Sequence, residues 1–171
     1  MRSWLIAVAL FASLGTRAEE QSKAPTRLEA FSAKTGSVVI RAFGSAGSFK
    51  SIDLLVQEVR DGSNPKLRAL GLVVDGPNHE RAYIDADEVS SLLAGLDTLA
   101  KIDVSITTLP AFEADYKTKG GFSLTSASSE EGIRVGFAIG GKLIAYCSRE
   151  ELPKFRELVV KAQTMLAAMG R

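Results

Sequence analysis

The chain has 171 residues, 46% of them hydrophobic and 24% charged, with a formal net charge of +1. This composition suits a globular domain with a sizeable core and excludes a disordered chain or one built throughout of membrane spans. The near-neutral balance leaves no global footprint for nucleic acid or anionic lipid. A single cysteine and a single histidine exclude an intrachain disulfide and a zinc site built from those two residue types.

Arg2 precedes an uncharged apolar run from Leu5 to Leu14, and Thr16-Arg17-Ala18 supplies small residues at the two positions read by a signal peptidase. The pattern predicts a cleavable signal peptide over residues 1–18, cut after Ala18, and a secreted or periplasmic product with no membrane association after cleavage. The run is short for a membrane span, and no cysteine follows it to carry a lipid anchor. Without residues 1–18, 19 basic side chains face 20 acidic ones. Residues 19–26 read as a flexible mature N-terminus, and 27–171 as a single α+β domain with halves at about 27–103 and 104–171.

A short helical turn is expected over Arg27 to Lys34, with Leu28 and Phe31 on one side. Ser37 to Phe43 is rich in β-branched residues and reads as a strand, broken by Gly44 to Ser48. Ser51 to Arg60, Lys66 to Asp75 and Arg81 to Ile84 are the next strands. They are separated by the loop signals Asp61-Gly62-Ser63-Asn64-Pro65 and Asp75-Gly76-Pro77-Asn78. A helix follows, with Asp85 and Glu88 spaced as a capping box. Val89, Leu92, Leu93, Leu96, Leu99 and Ile102 form its buried face, and Gly95 within it suggests a close approach. Phe112 to Thr118 and Phe122 to Thr125 are strands, and Ser126 to Glu131 is expected to be a polar hairpin loop. Ile133, Val135, Phe137 and Ile139 then alternate with Arg134, Gly136 and Ala138 as in a half-buried strand. Gly140-Gly141 turns the chain into the apolar run Leu143 to Cys147, where Cys147 reads as a buried small hydrophobe.

At an offset of 63 residues Ala82-Tyr83 falls on Ala145-Tyr146, Asp85 on Ser148 and Glu88 on Glu151. Val89, Leu92, Leu96 and Ile102 fall on Leu152, Phe155, Val159 and Met165. The expectation is a duplicated β-β-β-(β)-α unit: one antiparallel sheet or two, carrying two helices. Pro153 fits if the second helix starts near Leu152 after a separate turn. This order is similar to that of Whirly and Pur-type single-stranded nucleic-acid-binding domains.

Chemistry is sparse. His79 could serve as a general base with Glu80 or Asp75, but an exposed loop histidine is the plainer reading. Asp85, Asp87 and Glu88, like Glu150 and Glu151, sit where helix starts attract acids for structural reasons. No catalytic residue, metal ligand or cofactor is predicted. Lys117, Lys119, Arg134 and Lys142 could form a small basic patch, with no aromatic expected to face outward beside it. Gly136, Ala138, Gly140 and Gly141 make a smooth strip, for which internal packing is the plainer role and a partner the alternative.

Lys34-Thr35-Gly36, Tyr83 to Glu88, Phe112-Glu113-Ala114 and Tyr116 to Phe122 resemble segments of a family of uncharacterised exported bacterial proteins. The resemblance covers most of residues 28–166. It implies export and one compact unit, and brings no activity. The expected function is a non-enzymatic binding or interaction module for a protein partner or small ligand. The alternatives are a cofactor-free enzyme using carboxylates and a Whirly-like nucleic-acid-binding module, although export would separate the chain from cytoplasmic nucleic acid.

Overall fold

The computed structural model describes residues 24–129 and 132–170. The expected signal peptide and residues 19–23 of the expected tail lie outside the described residues. The helix α1 (Arg27–Ser32) precedes two successive units. The first comprises β1 (Val39–Phe49), β2 (Ile52–Asp61), β3 (Arg68–Asp75), β4 (Arg81–Asp85) and α2 (Val89–Leu99). The second comprises β5 (Glu113–Lys117), β6 (Phe122–Ser129), β7 (Gly132–Ile139), β8 (Lys142–Ser148) and α3 (Leu152–Met169). Each unit folds as a four-stranded antiparallel meander, β1-β2-β3-β4 and β5-β6-β7-β8. The chain is therefore α+β with two sheets and a repeated ββββα unit.

The two strand-to-helix junctions show why the repeat is legible. In each, the strand ends at a capping residue, Asp85 or Ser148, and a single 3-10 turn leads into the helix. Glu88 accepts the Asp85 N–H at 3.3 Å, and Glu151 accepts the Ser148 N–H at 3.2 Å. Pro153 then lies in the first turn of α3, where its missing donor costs nothing.

Each unit sends its helix to the other. In α2, Gly95 faces the ring of Tyr116 on β5, and the Tyr116 hydroxyl donates to Ser91 at 3.1 Å. In α3, Met165 and Leu158 reach Gly44 and Gly47 on β1. The capping glutamates repeat the exchange. Glu88 also accepts the backbone N–H of Lys119, between β5 and β6, at 2.9 Å. Glu151 also accepts from the Lys50 ammonium, between β1 and β2, at 2.7 Å. The helices themselves are joined by a bidentate Arg156–Asp97 pair at 2.6 and 3.0 Å. Such reciprocity is that of an isologous interface, here within one chain.

The inner faces share one core. Phe49 of β1 meets Phe137 and Phe155 of the second unit at ring-centroid distances of 5.7 and 5.8 Å, and Phe137 meets Phe155 edge-on at 5.0 Å. Offset and tilted arrangements of this kind suit the aromatic quadrupole. The α2 stripe Val89, Leu92, Leu96 and Leu99 and the α3 stripe Leu152, Phe155, Val159, Ala162 and Leu166 are all buried in it.

Four expectations are corrected. Gly44 to Ser48 do not break the first strand: β1 runs through them with a bulge between Ser45 and Gly47. A Cβ on Gly44 would stand 3.0 Å from Met165, and one on Gly47, at φ +138°, 2.7 Å from Leu158. The glycines admit a helix instead of ending a strand. Ser126 to Ser129 are not a loop either. They extend β6, with Ser126 buried opposite Val135, because a small hydroxyl side chain fits an inward position that a long polar one would not. Ile102 lies beyond the end of α2. Thr26 is not part of a loose tail: it is the buried N-cap of α1, in a reciprocal capping box with Glu29.

Candidate functional site

The two sheets differ in what covers their outer faces. On the first sheet, Leu28 of α1 packs with Val59 and Ala69, and Phe31, Val39 and Tyr83 close around them. The Asp85 carboxylate accepts the Arg27 and Leu28 N–H groups at 2.8 and 3.2 Å, which fixes the start of α1 to the end of β4. Beside α1 lies a groove of about 510 Å³, floored by Phe31, Ala69 and Leu70 and edged by Lys34, Arg68 and the Arg27–Asp87 pair. The sequence offered no signal for it, because it forms between a short helix and strands more than thirty residues away.

On the second sheet the register places Lys117 opposite Ser123, Ser123 opposite Ala138, Thr125 opposite Gly136 and Gly136 opposite Tyr146. These side chains share the outer face, since alternate residues point the same way. The expected internal packing of the strip is not found among the described residues. The atoms within 4 Å of a Cβ placed on Gly136 are Leu143 Cδ1 and Thr125 O, both from the same sheet, and nothing lies within that distance at Gly140 or Gly141.

An outward aromatic is present, contrary to expectation. Tyr146 is 59% exposed and Leu143 is 61% exposed, and they flank the strip from β8. The Arg134 guanidinium stands 5.3 Å from the centre of the Tyr146 ring. The apolar run of β8 hid this because a bulge resets its alternation: Phe137 pairs with Ala145 but Ala138 with Leu143, so that Ile144 is the extra residue. The first unit holds the bulge in place. Ser51 Oγ donates to the Ile144 carbonyl at 2.7 Å, and the Ile144 side chain lies against Gly76. Only the tertiary partner explains which residues of β8 face out.

The six sequence-predicted residues are only partly brought together. Arg134, Gly136 and Ala138 lie side by side on the outer face of β7, and Lys117 stands on the β5 edge of the same face. Lys119 lies in the β5–β6 turn, whose N–H is bound by Glu88. Lys142 opens β8 and pairs with Glu80 of the first unit. Lys117 pairs with Asp115 at 3.7 Å. Two of the four basic side chains of the patch, Lys117 and Lys142, are thus matched by acids.

Most of the remaining chemistry-bearing groups have structural partners. His79 is exposed in a turn at φ +62°. Its neighbour Asp75 is held by Arg81 at 3.1 and 2.9 Å, and Glu80 by Lys142. Ser63 donors hold the Asp61 carboxyl down at about 2, Arg156 holds that of Asp97 low, and Lys50 does the same for Glu151. A general acid needs the opposite displacement. Burial pushes the Cys147 thiol up to about 11, far from the thiolate range of a nucleophile. Among the described residues, no group of three or more His, Cys, Asp or Glu side chains could hold a metal ion, and no helix is long and apolar enough to cross a membrane. The chain matches no family model, and no curated protein is similar to it.

Proposed function

We propose that this chain is an exported, secreted or periplasmic, non-enzymatic binding module that engages a partner through the outer face of its second sheet. The observation that carries the reading is the exposed pair Leu143 and Tyr146 bordering the smooth surface of Gly136 and Ala138, on a face that α1 does not cover. Exposed apolar side chains grouped on a flat sheet mark contact surfaces more often than scattered ones do. Export rests on the N-terminal pattern of Arg2, the apolar run and Ala18. The displaced carboxylates are held ionised and ion-paired, which favours binding over catalysis by an acid and a base.

The test is capture from the native extracytoplasmic fraction on immobilised protein, comparing the wild type with Leu143→Glu, Tyr146→Ser and a control, Leu109→Glu, at an exposed loop position. Binding lost in the two face variants and kept in the control supports the reading. Binding indifferent to the face variants overturns it.

A second reading, as a Whirly-like single-strand nucleic-acid binder, draws on Tyr146 beside Arg134, the pairing that base stacking uses. Glu113 and Asp115 on the same face oppose it. Oligonucleotide affinity that falls steeply with salt and vanishes in Tyr146→Ala would favour it.

A further inference from the structure

Among the described residues, two open meanders leave four sheet edges, β1, β4, β5 and β8. An edge presents unpaired N–H and C=O groups, and natural proteins guard it with charges, shortness or bulges. Three of the four are guarded. β4 is five residues long with Arg81 and Asp85 at its ends, and β5 is five residues long with Glu113, Asp115 and Lys117. β8 opens with Lys142, carries a bulge and has its Ile144 carbonyl taken by Ser51.

β1 is the exception. It is 11 residues long, contains no proline and has Arg41 as its one charged residue. Arg41 does not stand off the edge, because its guanidinium donates to the Ser32 carbonyl at the end of α1, at 2.9 Å. The ladder to β2 is regular from Val39 to Ser45, before the bulge. The apolar side chains beside it are open on both faces: Ile40 is 50% exposed, Phe43 51%, and Val38, just ahead of the strand, 72%.

We propose that β1 pairs antiparallel with β1 of a second copy of this chain, about a two-fold axis at Ala42, joining two first sheets into one. The strand is self-complementary in that register. Arg41 of each copy falls opposite Phe43 of the other on the outer face, the alkyl stem of the arginine beside an aromatic ring. Ile40 falls opposite Gly44 on the inner face, where Met165 of α3 covers the glycine and offers the isoleucine an apolar neighbour. The two Arg41 residues are offset and not directly opposed, so no like charges meet in the ladder. An isologous contact of this kind closes on itself as a dimer and leaves the outer face of the second sheet free. The proposal stands independently of the proposed function.

Sedimentation equilibrium on protein beginning at Glu19 reads the association directly. Wild type is expected to pass from one chain to two as concentration rises. Ile40→Lys, and separately Phe43→Lys on the other face, are expected to weaken the dimer at least tenfold, about 1.4 kcal/mol, with unchanged near-ultraviolet circular dichroism. Two half-exposed positions on opposite faces are used so that a folding failure in one leaves the other to decide. Ala42→Cys gives the register. Paired residues at the axis are about 4.5–5.5 Å apart between Cα atoms, within disulfide reach, so mild oxidation should yield a covalent dimer, and the added Ile40→Lys should suppress it. A wild type that stays monomeric, or a dimer untouched by both lysine variants, overturns the proposal.

Discussion

Gly95→Ala sets two effects of opposite sign against each other. Gly95 lies inside α2, where alanine is favoured over glycine by about 0.8–1.0 kcal/mol. A methyl placed there would stand 2.5 Å from Tyr116 Cδ2 and 2.8 Å from Cε2 and Cγ. Three ring atoms are too close at once, and the ring is pinned along the helix by the hydroxyl's hydrogen bond to Ser91. Overpacking of this kind costs roughly 1–3 kcal/mol, and breaking the Tyr116–Ser91 bond to relieve it adds about 0.5–1.5 kcal/mol. The clash wins, and Gly95→Ala should destabilise the protein by about 1–2 kcal/mol, a fall in Tm of about 3–6 °C for a chain of this size. The assay is urea unfolding of four proteins: wild type, Gly95→Ala, Tyr116→Ala and the double variant. With the ring removed, the helix preference alone remains, so Gly95→Ala should stabilise the Tyr116→Ala protein by about 1 kcal/mol. If Gly95→Ala stabilises the wild type, or destabilises both backgrounds equally, the inter-unit contact is not what holds glycine at this position.

Asp85→Ala should release α1, because its carboxylate accepts two N–H groups there; hydrogen exchange should rise over residues 27–32, with a loss of about 2–3 kcal/mol from the orphaned donors. Asp61 titrates at about 2 in the folded protein, below the ordinary value of 3.8. Its contribution to stability is therefore complete above the ordinary value and is lost as pH falls through the folded one. Asp61→Asn should flatten that part of the acid limb of a stability–pH curve. Cys147, with its thiol at about 11, should react slowly with an aromatic disulfide reagent at pH 8 when folded and rapidly in urea. Glu88→Gln and Glu151→Gln should each lower the urea midpoint, since an amide has one acceptor oxygen where each carboxylate uses two.

Local pattern was enough for much of the architecture. Capping residues act on backbone groups within three positions, so Asp85–Glu88 and Ser148–Glu151 announce their helices without help from the rest of the chain. The apolar stripes of α2 and α3 and the alternation of β7 are likewise periodic signals, and the offset of 63 residues made the duplication visible. The candidate face was half legible: Arg134, Gly136 and Ala138 follow from β7 alternation, whereas Tyr146 and Leu143 do not.

What the sequence by itself determined is the repeat, the class of fold and the scarcity of chemical groups, because composition, periodicity and capping are short-range properties. What only the tertiary structure decided is where each unit's parts go. Gly44 and Gly47 read as strand breakers until α3 of the other unit is seen to lie on them. The β8 bulge that turns Tyr146 outward is held by Ser51, 93 residues away. The open edge of β1 is likewise a fact of sheet order. Each depends on contacts between segments far apart in the chain, which no local pattern encodes.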